Sequence, residues 1–171
     1  MRKAGAVVAD VLLKLQELAK PGMTTEELDK IALKMSALAG AEPLFKGVRN
    51  PQARNPFPGA ICASINEQIV HGIPSPNAKA REGDILSIDF GIRLNGYCAD
   101  AALTTGIGKV SEESQRLMEV TKHVLNIAIS RCAPAVKWSD IAGEMQDYAE
   151  AAGFSVVRDF AGHGKIGRAH V

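Results

Sequence analysis

The chain has 171 residues, of which 46% are apolar and 23% charged, and its net charge is +1. This length suffices for one domain with a substantial core. The near-neutral charge and the lack of a long apolar run give no reason to expect a nucleic-acid or membrane partner. Three widely spaced cysteines argue against a disulfide framework or a zinc knot and favour a reducing compartment.

Two helices are predicted in the first forty residues. Apolar residues recur at three- and four-residue spacing over residues 4–19, and Pro21-Gly22 ends this helix. Thr24 or Thr25 caps a second helix, with Glu27 completing a capping box after Thr24. That helix is predicted to run to about Leu38, with Gly40 after its C-terminus.

Residues 42–59 are rich in proline and glycine and are predicted to form a long, mostly irregular surface loop. Such loops often shape binding sites. Residues 60–70 are predicted to be extended, with a turn or bulge at Asn66-Glu67.

The central prediction is a β-hairpin over residues 83–105 that carries two aspartates. Asn95-Gly96 is a strong signal for a two-residue hairpin turn. With that turn, Asp89 faces Ala102 and Gly91 faces Asp100, so the two aspartates share a face as diagonal neighbours whose backbones are about 7–8 Å apart. Because paired buried acids repel one another without a cation, a metal site is favoured over a structural acid pair.

Two further helices and a strand are predicted after the hairpin. Ser111 caps the first helix, which Pro134 ends, and Ser139 caps the second, which runs to about Ala152. Gly153 then ends it, and residues 154–160 are predicted to form a short strand.

The two helix pairs form an internal repeat. Pro21, Leu28, Ala39 and Gly40 correspond to Pro134, Ile141, Ala152 and Gly153, each pair being 113 residues apart. Four matches in register, with the same order of elements, favour two related αα-β units. The sequence therefore predicts a pseudo-twofold α+β domain with its site near the axis.

Five segments carry a resemblance to a known family: KPGMTTEELD (20–29), SINEQIVHGIP (64–74), GDILSIDFG (83–91), NGYCAD (95–100) and EAAGFSVVRDFAGHG (150–164). In order and spacing they resemble the type I methionine aminopeptidases. The resemblance implies the pita-bread fold, an α+β fold whose antiparallel sheet has helix pairs packed on one side.

The resemblance also implies the site residues. It gives Asp89, Asp100 and His163 as ligands of two divalent metal ions (Co, Mn, Fe or Zn), which activate water to hydrolyse a peptide bond. It places His71 near the first peptide bond of the substrate as the catalytic and substrate-binding residue, donating a hydrogen bond or proton.

Phe57 and Cys62 match positions that line the family's methionine pocket. The implied function is removal of the initiator methionine, with nascent polypeptide N-termini, at the ribosome, as partners. We expect a cytoplasmic, monomeric enzyme.

Plainer interpretations stay open for several of these residues. His71 could satisfy a backbone carbonyl, and Cys62 is as easily a core residue as a pocket residue. For His163 the plainer interpretation is weaker, because its two flanking glycines form an arrangement that exposes an imidazole and is rarely chosen for packing. At the level of function, the alternatives are another pita-bread peptidase, of the Xaa-Pro type, or a catalytically inactive binding module of the same fold.

The end of the chain departs from the family pattern. The family carries two metal-binding glutamates that would lie beyond Val171, so we expect a fragment that is unstable and nearly inactive alone, with residues 1–164 as a partial peptidase domain. Residues 165–171 are predicted to be a non-native tail, because IGRAHV equals one reading frame of a common sequencing adapter. If the tail is genuine, His170 is a candidate substrate-binding residue.

Overall fold

A computed structural model describes residues 1–49 and 54–159. The described elements are α1 (Arg2–Leu18), α2 (Thr25–Leu38), β1 (Glu42–Pro43), β2 (Ile61–Ile65), β3 (Ile85–Leu94), β4 (Tyr97–Gly106), α3 (Glu112–Arg131) and α4 (Trp138–Ala151). The chain divides into two compact units. The described part of the first unit ends at Val110, and the second unit begins at Ser111. No helix in these ranges is both long and apolar enough to span a membrane.

The first unit is an antiparallel sheet covered on one face by α1 and α2. The strand β3 pairs with β1 and β2 along one edge and with β4 along the other. Its alternate residues Leu86, Ile88, Phe90 and Ile92 are fully buried in a core shared with α1. Because successive side chains of a strand point to opposite faces, one face of β3 is core and the other is available for a site.

Helix α2 is tied to the strand and loop that follow it. Thr24 and Glu27 form the predicted capping box. The buried carboxylate of Asp29 accepts hydrogen bonds from the backbone N–H groups of Ala60, at 2.6 Å, and Ile61, at 3.0 Å. Asp29 thus fixes the start of β2 to the helix.

The second unit contains the helix pair α3 and α4, which contact each other. Ser111 caps α3 as predicted, its hydroxyl accepting a hydrogen bond from the Ser114 N–H. The prediction that Ser139 caps α4 is wrong, because the helix begins one residue after Lys137, and Ser139 lies inside its first turn. Lys137 offers no side-chain acceptor to the helix end.

The predicted repeat is confirmed at the level of helix ends. The C-cap residues of α2 and α4, Ala39 and Ala152, both lie in the right-handed helical region and are each followed by a glycine of positive φ. The same closing hydrogen bonds recur: the Ala41 N–H donates to the Ser36 carbonyl, and the Phe154 N–H donates to the Ala149 carbonyl. The N-caps of α2 and α4, Thr24 and Lys137, are also 113 residues apart.

One short strand was not predicted, and one strand prediction needs correction. The loop predicted to be mostly irregular contains the short strand β1, which pairs with β3 at Arg93 and Ile92. The predicted strand over 154–160 is not a strand over its described residues 154–159, and Phe160 lies outside the described residues. A strand requires a neighbour for its ladder, and no strand is described in the second unit.

Candidate active site

The sheet brings the two predicted carboxylates together. In the β3–β4 ladder Asp89 lies opposite Ala102, and Gly91 lies opposite Asp100. This is the predicted register, set by the Asn95-Gly96 turn, where both residues have positive φ. Asp89 and Asp100 are therefore diagonal neighbours, about 7–8 Å apart at the backbone, and both are half-buried on the face away from α1.

Strand β2 adds Cys62 to this face. Cys62 lies directly opposite Asp89 in the β2–β3 ladder, and its side chain is only 5% exposed. Burial, followed by the negative charges of Asp89 and Asp100, raises the pKa of the Cys62 thiol to about 12. The thiol is therefore neutral at pH 7, and it lies within electrostatic reach of both carboxylates. We call the face that carries Cys62, Asp89 and Asp100 the carboxylate face.

Two apolar side chains of the preceding loop cover part of the carboxylate face. The Leu44 N–H donates a hydrogen bond of 2.9 Å to the Gly91 carbonyl, which places the loop beside β3. A methyl group built at Gly91 would lie 3.2 Å from a ring carbon of Phe45 and 3.3 Å from a methyl of Leu44. Glycine is thus the residue that lets these side chains pack close to the backbone between the two aspartates.

Leu44 and Phe45 were not predicted as site residues. An apolar pair inside a proline-rich loop gives no periodicity that would reveal where it packs. The only available signal was Gly91 itself, a glycine inside a strand, which often marks close approach of another group.

Phe57 is half-buried in the loop that precedes β2. Its N–H donates to the Val48 carbonyl, and its carbonyl accepts from the Gly47 N–H, both at 2.8 Å. These bonds hold Phe57 to the loop segment that follows Phe45. Its assignment to a methionine pocket stays a prediction.

His71 lies in the loop after β2 and its side chain is exposed. Its backbone has a φ of 59°, which is unusual for a residue other than glycine. The next residue is fixed beside β2, because the Gly72 carbonyl accepts a 2.9 Å hydrogen bond from the Ala63 N–H. The loop therefore brings His71 close to the strand that carries Cys62.

The remaining predicted site residues, His163 and His170, lie outside the described residues. Over 1–49 and 54–159, no three His, Cys, Asp or Glu side chains are grouped closely enough to hold a metal ion. The described part of the predicted ligand set is therefore the pair Asp89 and Asp100.

This pair nevertheless suits a cation. Two half-buried carboxylates on one face create a negative potential. This potential contributes, after burial, to the raised pKa of Cys62. Carboxylate ligands, completed by an imidazole, suit Mn²⁺, Co²⁺, Fe²⁺ or Zn²⁺. Both aspartates lie on long, paired strands, which hold their side chains in fixed relative positions.

Comparison with known proteins supports this chemistry. The sequence is 45% identical over 168 residues to a methionine aminopeptidase of Clostridium perfringens, covering 98% of this chain and 64% of that protein. A crystal structure of methionine aminopeptidase from Thermotoga maritima superposes with a TM-score of 0.90 at 35% identity, covering 98% of this chain and 65% of that one. The chain thus spans less than two thirds of the length of these relatives.

The fold is shared more widely. The X-Pro aminopeptidase of Thermotoga maritima superposes with a TM-score of 0.71 at 19% identity, covering 88% of this chain and 39% of that one. These likenesses confirm the predicted pita-bread fold, and the chain covers 65% of the methionine aminopeptidase structure. The identity to the X-Pro enzyme is 19%, against 35% to the methionine aminopeptidase of the same organism. The comparison therefore does not favour the alternative of an Xaa-Pro peptidase.

The sequence profile of metallopeptidase family M24 matches residues 1–170, nearly the whole chain. That match agrees with the paired aspartates on adjacent strands and with the fold of the structural relatives. The chain belongs to metallopeptidase family M24.

Proposed function

We propose that the protein is a methionine aminopeptidase that removes the initiator methionine from nascent polypeptides. The observation that carries this proposal is the carboxylate face, where Asp89 and Asp100 take diagonal positions on two paired strands. The family match and the identity to methionine aminopeptidases support the same activity.

Two divalent metal ions are proposed as cofactors, held by Asp89, Asp100 and His163. When bound, such ions supply a Lewis acid that lowers the pKa of water and polarises the peptide carbonyl. Asp89 and Asp100 would hold the ions by their negative charge. The identity of the metal is proposed only as one of Co²⁺, Mn²⁺, Fe²⁺ and Zn²⁺.

The other residues bind and orient the peptide. His71 is proposed to donate a hydrogen bond or proton at the first peptide bond, which requires an exposed imidazole such as the one observed. Cys62 presents a neutral thiol to the site, since its pKa of about 12 keeps it protonated at pH 7. Together with Phe57, this thiol would form an uncharged surface for the unbranched thioether side chain of methionine.

The proposed partners are the N-termini of nascent polypeptides, met in the cytoplasm at the ribosome, and the proposed state is a monomer. An apolar wall beside the carboxylates, formed by Leu44 and Phe45, supports a substrate with an apolar first side chain.

The test is methionine release from the peptide Met-Ala-Ser in the presence of Mn²⁺ or Co²⁺, with the protein expressed from its gene to the natural stop codon. We expect activity in the wild type and a loss of at least about 100-fold in Asp100→Asn, because the amide cannot replace a charged ligand. Asp10→Asn, an exposed change on α1, is the charge-matched control and should retain full activity. A folded, metal-loaded wild type without activity would contradict the proposal.

A further inference from the structure

The backbone of His71 adopts a conformation that its own side chain does not favour. Its φ of 59° lies in the left-handed region, where a side chain crowds the following carbonyl oxygen. Residues other than glycine seldom adopt it, and they keep it where the surrounding structure holds them there. The contacts around His71 therefore bear on why it stays in this conformation.

The next residue, Gly72, makes two of those contacts. Its N–H donates a 3.0 Å hydrogen bond to the hydroxyl oxygen of Ser64, and its carbonyl accepts a 2.9 Å bond from the Ala63 N–H. The approach is so close that a methyl group at position 72 would collide with the Ala63 carbonyl oxygen. Gly72 is thus held against two consecutive residues of β2.

Ser64 also belongs to the carboxylate face. It lies opposite Ser87, and two residues earlier Cys62 lies opposite Asp89, so the side chains of Ser64 and Cys62 point the same way. Ser64 is only 3% exposed, and its hydroxyl has little alternative contact with water. The bond from Gly72 to Ser64 therefore joins the His71 loop to the same rigid face that carries the aspartates.

We propose that Ser64 is a positioning residue for His71. The Ser64 hydroxyl, acting on the N–H of Gly72, holds His71 in its left-handed conformation and at a fixed place relative to Asp89 and Asp100. This inference rests on the proposed function of His71 at the peptide bond. Removal of the hydroxyl leaves the Ala63–Gly72 bond intact, so the loop shifts locally while the sheet stays folded.

Two kinetic variants test the role. In Ser64→Ala we expect kcat for Met-Ala-Ser to fall by at least about 10-fold with KM changed less than about 2-fold, because a misplaced donor impairs the reaction rather than binding. Ser64→Thr keeps the hydroxyl and should restore most of kcat. Ser87→Ala is the matched control, since Ser87 lies directly opposite but bonds to Thr104.

A measurement without activity separates this inference from the proposed function. Amide exchange of Gly72, followed by NMR, should accelerate at least about 10-fold in Ser64→Ala and stay slow in Ser64→Thr and Ser87→Ala. If Ser64→Ala unfolds, Ser64→Cys fills nearly the same volume with a weaker acceptor and should show the same acceleration and loss of kcat. An inactive wild type whose Gly72 amide behaves as expected contradicts the proposed function but not the role of the Ser64 hydroxyl in holding Gly72. Unchanged kcat, or a loss that Ser64→Thr does not restore, overturns the positioning role.

Discussion

The protonation of the Cys62 thiol depends directly on its surroundings in the carboxylate face. Its pKa is raised from 9.0 to about 12, first by burial and then by Asp89 and Asp100. Between pH 9 and 12 the native thiol keeps a proton that the unfolded chain releases. The stabilising contribution of the neutral thiol is therefore complete below pH 9 and is lost as pH rises through 12.

We expect this effect to be measurable by urea unfolding at pH 8 and pH 10. Between these values the wild type should lose about 1 kcal/mol more of its free energy of unfolding than Cys62→Ala does. Comparison with Cys62→Ala cancels the titration of lysine and tyrosine side chains over the same range. Equal losses in the two proteins would show that the thiol is not held neutral by its surroundings.

At the residue scale, the sequence sufficed where the side chains lie on regular strands. The positions of Asp89 and Asp100 follow from the Asn95-Gly96 turn and from the alternation of side chains between the two faces of a strand. The structure confirms these positions. Leu44 and Phe45 could not be placed in this way, because loop residues carry no period and their packing depends on contacts distant in sequence. The roles of His163 and His170 stay predictions.

At the scale of elements, Asp29 joins α2 to β2. Asp29 is 7% exposed, and its carboxylate accepts hydrogen bonds from two buried backbone N–H groups. Without this carboxylate, those N–H groups would have no partner. Asp29→Ala should therefore lower the free energy of unfolding by about 2–4 kcal/mol, measured by urea titration. Asp29→Asn keeps an acceptor oxygen and should lose less.

The control for Asp29 is Asp10, an exposed acid on α1, for which Asp10→Ala should change stability by less than about 0.5 kcal/mol. If Asp29→Ala were as mild as this control, the two short hydrogen bonds would not be what fixes β2 to α2.

The start of α4 gives a prediction in the second unit. Its N-cap, Lys137, corresponds to Thr24 in the repeat but lacks a capping hydrogen bond. Lys137→Thr should therefore raise the stability of this helix pair by about 0.5–1 kcal/mol in thermal unfolding. Ser139→Ala should have almost no effect, and a large loss would restore Ser139 as the cap.

The errors among the elements have a common physical cause. Ser139 was a good capping residue in a plausible place, but the packing repeated from α2, with Ile141 buried in the position of Leu28, decides where α4 begins. The strand expected over 154–160 had a suitable pattern but lacks a described partner strand. In both cases the tertiary surroundings, present for α4 and lacking in the described residues for the strand, decide the outcome more than the local preference.

At the scale of the whole molecule, the internal repeat was the most informative feature of the sequence. Its 113-residue offset is matched by both ends of α2 and α4 and by the hydrogen bonds after Gly40 and Gly153. A repeat is visible in sequence because both units must solve the same packing problem with similar residues. The metal content could not be read from the fold, since a ligand set depends on a few side chains.

Metal binding by the protein tests the assignment of the carboxylate face most directly. Calorimetric titration with Mn²⁺ should show saturable binding to the wild type, and Asp10→Asn, the surface control, should bind equally well. In Asp89→Asn combined with Asp100→Asn, the affinity should fall by at least about 10-fold, because both charged ligands of the carboxylate face are removed. Equal affinity in the double variant would contradict the assignment of this face as the metal site, and with it the proposed chemistry.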